Sequence, residues 1–342
     1  MIRRGCLVLA AVLAGLGPAR AEIGPDRACA VHGRLLGYAP VIALEGPAHA
    51  GTDRAAEPFA LAMMEAAVRE LERWAGADAL RAIGDAGSGD SNTNSVYSFR
   101  RTLIALLGAW QELRNSPAGR ANAHLIEPWL ARLVARQEVA TGGAKTRQRA
   151  DAMSNRNNHV LLRATVEAQW AALGNRADLA ARAYDTARAT LAEMRSDGSL
   201  PLETARGVRA LWYQRHALAS LVYIGELLAP QGFDLWQPRA DGGDLHRAVA
   251  FLIRAIERPA ILEPYAGADL AYRQDLGFLE PRGNGRHYMA WGELYRTRFP
   301  DRPETASLVR ILPRADHLGW PLLDDYVGGN ATCRIRTPAR MP

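Results

Sequence analysis

Lysine is nearly absent from this chain: Lys145 stands alone among 42 basic residues, the others all being arginine. With the high alanine content, that bias is read as the imprint of a GC-rich genome and not as a phosphate-recognition device. Cysteine is equally scarce, at three residues, which excludes a disulfide-dense scaffold. After the N-terminus no segment offers the roughly 20 uncharged apolar residues that a membrane span needs. Strand periodicity is almost missing, which excludes a β-sandwich or barrel. No fixed-period repeat is found, which counts against a tetratricopeptide-type array. No His/Cys/Asp/Glu cluster has metal-ligand spacing, so neither metal nor other cofactor is expected. No linker divides the 342 residues, so a single domain is expected over 22–342.

Met1 to Ala21 has the layout of a secretory signal peptide. Arg3 and Arg4 form the basic start, Leu7 to Leu16 the apolar core and Ala19-Arg20-Ala21 the cleavage site. The mature protein is therefore expected in the periplasm or secreted. Loss of Arg3, Arg4 and Arg20 lowers the formal net charge from +6 to +3. That balance suits a polyanionic substrate without demanding one, and nothing points to nucleic acid. Cys6 leaves with the signal. Cys29 and Cys333, near the two ends of the mature chain, are expected to pair in an oxidising compartment, two buried thiols being the alternative.

What remains is a succession of amphipathic helices. Apolar residues at helical spacing mark Glu57–Trp74, Val96–Arg114, Pro128–Val139, Asn157–Leu173, Asp178–Met194, Pro201–Leu228, Asp244–Ile256 and Tyr288–Arg296. Gly84–Asn94 and Glu257–Gly285 are expected as loops, and the tail from Phe299 as irregular structure. Short connections favour antiparallel neighbours, as in a solenoid, a bundle or a closed ring.

One constellation carries chemistry. Ser154-Asn155-Arg156-Asn157-Asn158-His159 opens a helix. Asn157 is explained as an N-cap, but a second amide and an imidazole exceed what a cap requires. A helix N-terminus also favours anionic ligands and keeps a histidine neutral. Further on, Arg206 and Tyr213 are seven residues apart, which on one helix puts them on one face about 10 Å apart along the axis. An amide, an imidazole, a guanidinium and a phenol together suit proton abstraction from a carbon beside a carboxylate.

The segment Asn155–His159, the spacing to Arg206-Gly207-Val208-Arg209-Ala210-Leu211-Trp212-Tyr213, and Ala217-Leu218 resemble the mannuronate-specific alginate lyases, polysaccharide lyase family five. Ser98-Phe99-Arg100-Arg101, Tyr288-Met289-Ala290-Trp291 and Gly328-Gly329-Asn330 are similar to weaker family islands. The resemblance implies an all-α fold, an incomplete α/α toroid with a cleft, and β-elimination of a 1,4-linked uronic acid polymer. It implies Asn158 and Arg206 as the groups that neutralise the substrate carboxylate, Tyr213 as proton donor and acceptor, and His159 as its assistant. Arg206 beside the phenol is expected to favour phenolate. Tyr97, Arg100, Arg156, Trp212 and Tyr288 are the implied substrate-binding residues.

This sequence also departs from the family. Two family lysines are missing, with Tyr97 near one of their places. A histidine usual after the tyrosine is Gln214, and an aromatic pair is replaced by Leu161-Leu162. The resemblance puts these positions in or beside the sugar cleft, so the departures bear on substrate identity. The competing functions are a non-catalytic exopolysaccharide-binding toroid, a lyase for another uronan such as glucuronan, and a glycoside hydrolase using two of Glu203, Asp275, Glu280 and Glu293.

Overall fold

The computed structural model describes residues 53–81, 89–139, 157–174, 176–280, 287–312 and 322–332. The signal peptide, Cys29, Cys333 and Arg156 lie outside the described residues.

The first helices are α1 (Asp53–Gly76), α2 (Gly89–Leu113), α3 (Pro117–Val139), α4 (Asn158–Gly174) and α5 (Ala177–Ala192). They are followed by the single turn α6 (Pro201–Thr204), then α7 (Ala210–Leu228) and α8 (Leu245–Glu257). Two further single turns, α9 (Glu263–Ala266) and α10 (Ala268–Ala271), precede α11 (Trp291–Arg298) and α12 (Pro303–Ile311). Last comes a minimal antiparallel hairpin, β1 (Leu323–Asp324) with β2 (Gly329–Asn330), in which Leu323 faces Asn330 and Asp324 faces Gly329.

The helices form two layers. The inner layer runs α2, α4, α7 and α11. The outer partners are α3 (itself backed by α1), α5, α8 and α12. Burial follows this order. On α7 every residue except Trp212, Tyr213 and Glu226 is buried, as an element enclosed on all sides requires. On outer α5 the buried residues form one stripe, Leu179, Ala180, Ala183, Ala187 and Leu191. One continuous apolar core runs from Ala67 to Ala331. This is an α/α toroid. Among the described residues no helix is long and apolar enough to cross a membrane.

The turn Asp325–Val327 packs on both α2 and α7 and so bridges these two inner helices across α4. The approach is backbone-close: a Cβ at Gly108 on α2 would lie 2.0 Å from the Gly328 carbonyl oxygen. Two acidic residues of this segment are held by inner-layer arginines. Arg215 Nη1 meets Asp324 Oδ2 at 3.3 Å, and Arg101 Nη2 meets Asp325 Oδ2 at 2.7 Å.

Several elements differ from the sequence expectation. Helix α2 begins at Gly89, inside the stretch expected as a loop to Asn94. The polar composition marks a loop, but the helix extends back from the apolar stripe that starts at Val96. Pro128 sits inside α3 and not in its first turn. Its ring lies on the exposed side, where a missing N–H and a slight bend are tolerated. The tail contains α12, opened by Pro303 in the first turn, and a hairpin too short to show periodicity. The long helix expected from Pro201 to Leu228 is broken after Thr204 and resumes at Ala210.

Candidate active site

The N-terminus of α4 forms one wall of the site. Asn157 is its N-cap: the side-chain oxygen accepts from the His159 N–H at 3.1 Å and the carbonyl from Val160 N–H at 2.9 Å. The Asn158 N–H, another donor with no partner within the helix, is bound at 2.8 Å by Glu203 Oε1 on α6. Glu203 is buried, and burial pushes its carboxyl up to about 7, opposed by the Asn158 N–H and the nearby Arg206 charge. With Asn157 occupied as cap, Asn158 and His159 are the groups left for chemistry.

Arg206 lies in the break between α6 and α7. Gly207, within this break, adopts φ +57°, a left-handed conformation that redirects the chain into the turn before α7. The guanidinium is thereby brought over Tyr213, 4.2 Å from the centre of its ring. On one unbroken helix the two residues would stand two turns apart; the kink turns that separation into direct contact and puts a fixed positive charge against the phenol face.

His159 is kept neutral. Burial, reinforced by the Arg100 and Arg206 charges, lowers its imidazole to about 4. Arg100 is 4% exposed and lies behind this wall. It donates to the His159 carbonyl at 3.2 Å and to the Gln137 side chain and carbonyl at 3.2 and 3.3 Å. Arg100 therefore props the backbone of α4 from the interior, while its neighbour Arg101 reaches the Tyr97 and Tyr326 rings at 5.4 and 5.1 Å. Tyr97 stands beside His159, with ring centres 5.2 Å apart.

Two residues of the site escaped the sequence analysis. His216 lies one turn beyond Tyr213 on α7, their rings edge-to-face at 5.6 Å. Asn158 Nδ2 approaches His216 Nδ1 at 3.1 Å. Tyr326, delivered by the bridging turn, places its hydroxyl 3.2 Å from Nδ1 and 3.4 Å from Nε2 of the same ring, and bonds the Tyr97 hydroxyl. Burial and the Arg215 and Arg101 charges hold His216 well below the usual histidine range, so it too is neutral. The i, i+3 spacing from Tyr213 was a usable signal for His216; nothing local marks Tyr326.

Trp212 packs edge-to-face on Tyr288 at 5.4 Å and on His216 at 6.1 Å, so it links Tyr288 to the ring that lies against Tyr213. Of the family departures Tyr97 stands at the site, and three others point into the interior. Leu161 and Leu162 are fully buried in the core, and Gln214 is fully buried, holding the Leu200 N–H at 3.0 Å and the Gly198 carbonyl at 3.2 Å. These three side chains therefore serve packing and a loop in the interior, on the helix starts that carry His159 and Tyr213. Three of the four acidic residues considered for hydrolysis are also engaged. Glu203 holds α4, buried Glu293 pairs with Arg296 at 2.7 Å, and Asp275 accepts from the Gly277 N–H at 3.1 Å.

The site thus presents a phenol under a guanidinium, two neutral imidazoles and a buried amide where two inner helices of an α/α toroid begin. Fold and site together define a polysaccharide lyase. The chain belongs to the alginate lyase family, whose model matches residues 62–262. It is 29% identical over 263 residues to a "Polysaccharide lyase" of Stenotrophomonas maltophilia (strain K279a), covering 73% of this chain and 67% of that protein. Among solved structures it is similar to a His-to-Ala variant of alginate lyase A1-III complexed with tetrasaccharide, at TM-score 0.61 and 25% identity, covering 82% of this chain and 73% of the other. The fold is shared as well with alginate lyase A1-III from Sphingomonas species A1, at TM-score 0.61 and 22% identity over 86% of this chain and 82% of the other.

Proposed function

We propose that this lyase cleaves poly-mannuronate by β-elimination, with Asn158, His159, Arg206 and Tyr213 as the reacting set. The observation that carries the proposal is the contact of Arg206 with Tyr213 beside the α4 N-terminus. The C5 proton of a uronate is hardly acidic while the adjoining carboxylate is fully charged, so that charge must first be offset. Asn158 and Arg206 donate to the carboxylate and to the enolate-like intermediate that follows. Tyr213, assisted by neutral His159 and acting as a phenolate under the Arg206 guanidinium, takes the C5 proton and becomes the phenol. The electron pair left on C5 becomes the C4=C5 double bond as the C4–O4 bond breaks, and O4 leaves with a proton returned by the phenol. The resemblance of the Asn158-His159 and Arg206–Tyr213 motifs supports mannuronate over other uronans, and Leu161, Leu162 and Gln214 are buried, so these departures present no side chain at the surface.

Incubation with poly-mannuronate, poly-guluronate and glucuronan, followed by ultraviolet absorbance of the unsaturated product, tests both parts. Absorbance rising fastest with poly-mannuronate is expected. A rise with glucuronan alone overturns the substrate, and no rise with any uronan overturns the elimination. Tyr213→Phe is expected to abolish turnover while binding of poly-mannuronate persists; wild-type activity in that variant removes Tyr213 from its role. Export follows from the Met1–Ala21 segment, and an N-terminus at Glu22 in periplasmic or secreted protein is the corresponding check.

A further inference from the structure

The buried amide of Asn158 has an unbalanced set of partners. Its Nδ2 lies 3.1 Å from His216 Nδ1, and its Oδ1 is buried with no hydrogen-bond partner. A buried acceptor left unmade is unfavourable, and one facing an incoming carboxylate would be worse. The two ends of an amide are interchangeable in shape, and which end meets a histidine nitrogen is decided by which of them carries hydrogen. With Nδ1 bare, the amide spends one N–H on His216 and leaves its oxygen orphaned. With Nδ1 protonated and Nε2 bare, Oδ1 accepts from His216, and both N–H groups of Asn158 are released for an anion.

We propose that His216 is a positioning residue that sets the Asn158 amide, turning its NH2 toward the substrate carboxylate through a change of tautomer. This rests on the role given to Asn158 above. The exchange conserves charge: one proton leaves Nε2, one arrives at Nδ1, and the ring remains neutral. Tyr326 supplies the hydroxyl that follows the change. Its oxygen is within 3.2 and 3.4 Å of the two nitrogens, and its bond to the Tyr97 hydroxyl allows it to donate or accept. The surroundings keep the ring uncharged, since Arg215 adjoins it in sequence and Arg101 lies over both neighbouring tyrosine rings. A cationic ring, with both nitrogens protonated, would lose the choice between tautomers.

The test separates nitrogen chemistry from packing. His216→Phe keeps a ring among Tyr213, Trp212 and Tyr326 but has no nitrogen. His216→Asn carries an amide that can donate or accept at the Nδ1 position. With poly-mannuronate, His216→Phe is expected to lower kcat about 10- to 100-fold with KM changed less, and His216→Asn to recover at least part of that loss. In the background of Asn158→Ala, His216→Phe is expected to add little, because its effect passes through the missing amide. Thermal melts accompany each variant, so that activity is compared only among folded proteins. Normal kcat in folded His216→Phe, no recovery by His216→Asn, or full additivity with Asn158→Ala overturns the inference. If Asn158→Ala itself retains wild-type activity, the failure lies in the role of Asn158.

Discussion

Glu203 places a carboxyl group at the start of α4, yet the site is built to receive a polyanion. Burial eases the conflict by raising the carboxyl to about 7, so near neutrality the group is only partly ionised and its negative charge is reduced. The consequence for stability has a definite sign. The folded chain binds this proton more tightly than the unfolded chain, so stability falls as pH rises between the ordinary glutamate value and about 7. At about 1.4 kcal/mol per pH unit, the accumulated penalty is on the order of 3 kcal/mol. Glu203→Gln keeps an oxygen for the Asn158 N–H and cannot ionise. Its melting temperature is expected to match the wild type near pH 5 and to exceed it by several degrees at pH 8. A variant less stable than wild type at pH 8 would show that the carboxylate itself is needed to hold α4. His159 has the opposite displacement: lowered to about 4, it is neutral in the folded chain while the unfolded chain still protonates it below its ordinary value, so its contribution to stability rises with pH over the same range and cancels only in the comparison of Glu203→Gln with wild type at each pH.

At the level of elements, two glycines decide where the reacting side chains stand. Gly207 breaks the run from Pro201 and folds Arg206 onto Tyr213, and Gly108 lets the bridging turn lie against α2. Gly108→Ala forces a methyl group into the Gly328 carbonyl, an overpacking expected to cost about 1–3 kcal/mol and to displace Tyr326. Lowered thermal stability together with a fall in kcat is the expected outcome, read by melting and by the ultraviolet assay. Full activity in a folded variant would show that the turn does not have to be seated for catalysis. The same elements show what was legible beforehand. The amphipathic stripes made the main helices readable, because each buries one face or all faces on a 3.6-residue period. Asn158, His159, Arg206 and Tyr213 were readable as a pattern of residue types. The break at Gly207 was not, because a lone glycine within an apolar helical period is often tolerated, and only the packing around Gln274 and Leu270 makes it a turn here. Tyr326 was hidden for a different reason: its place depends on a contact 229 residues away in the chain, and no local period reports it. That Leu161, Leu162 and Gln214 are buried was not readable, because a motif gives order along the chain but not which way each side chain faces.

Across the whole molecule, charge is a matter of distribution more than amount. The formal net charge of +6 is modest for a chain with 42 basic residues, because 36 acids offset them and many arginines are tied in ion pairs. Attraction of a polyuronate should therefore be moderate and easily screened, since the Debye length shrinks from about 10 Å at 0.1 M salt to about 3 Å at 1 M. KM for poly-mannuronate is expected to rise several-fold over that interval while kcat changes little, because Arg206 acts at contact distance. A fall in kcat with constant KM would place the salt-sensitive step inside the site.

The bridging turn also gives the activity a place in time. As a nascent chain lengthens, Asn158, His159, Arg206, Tyr213 and His216 are all present well before Tyr326 is added, and the arginines at 101 and 215 wait for Asp325 and Asp324. Contacts spanning so much of the chain form slowly. A partly synthesised or partly folded chain thus carries its reacting groups without the piece that completes their surroundings, and polymer cleavage is expected to begin only after that late segment has docked.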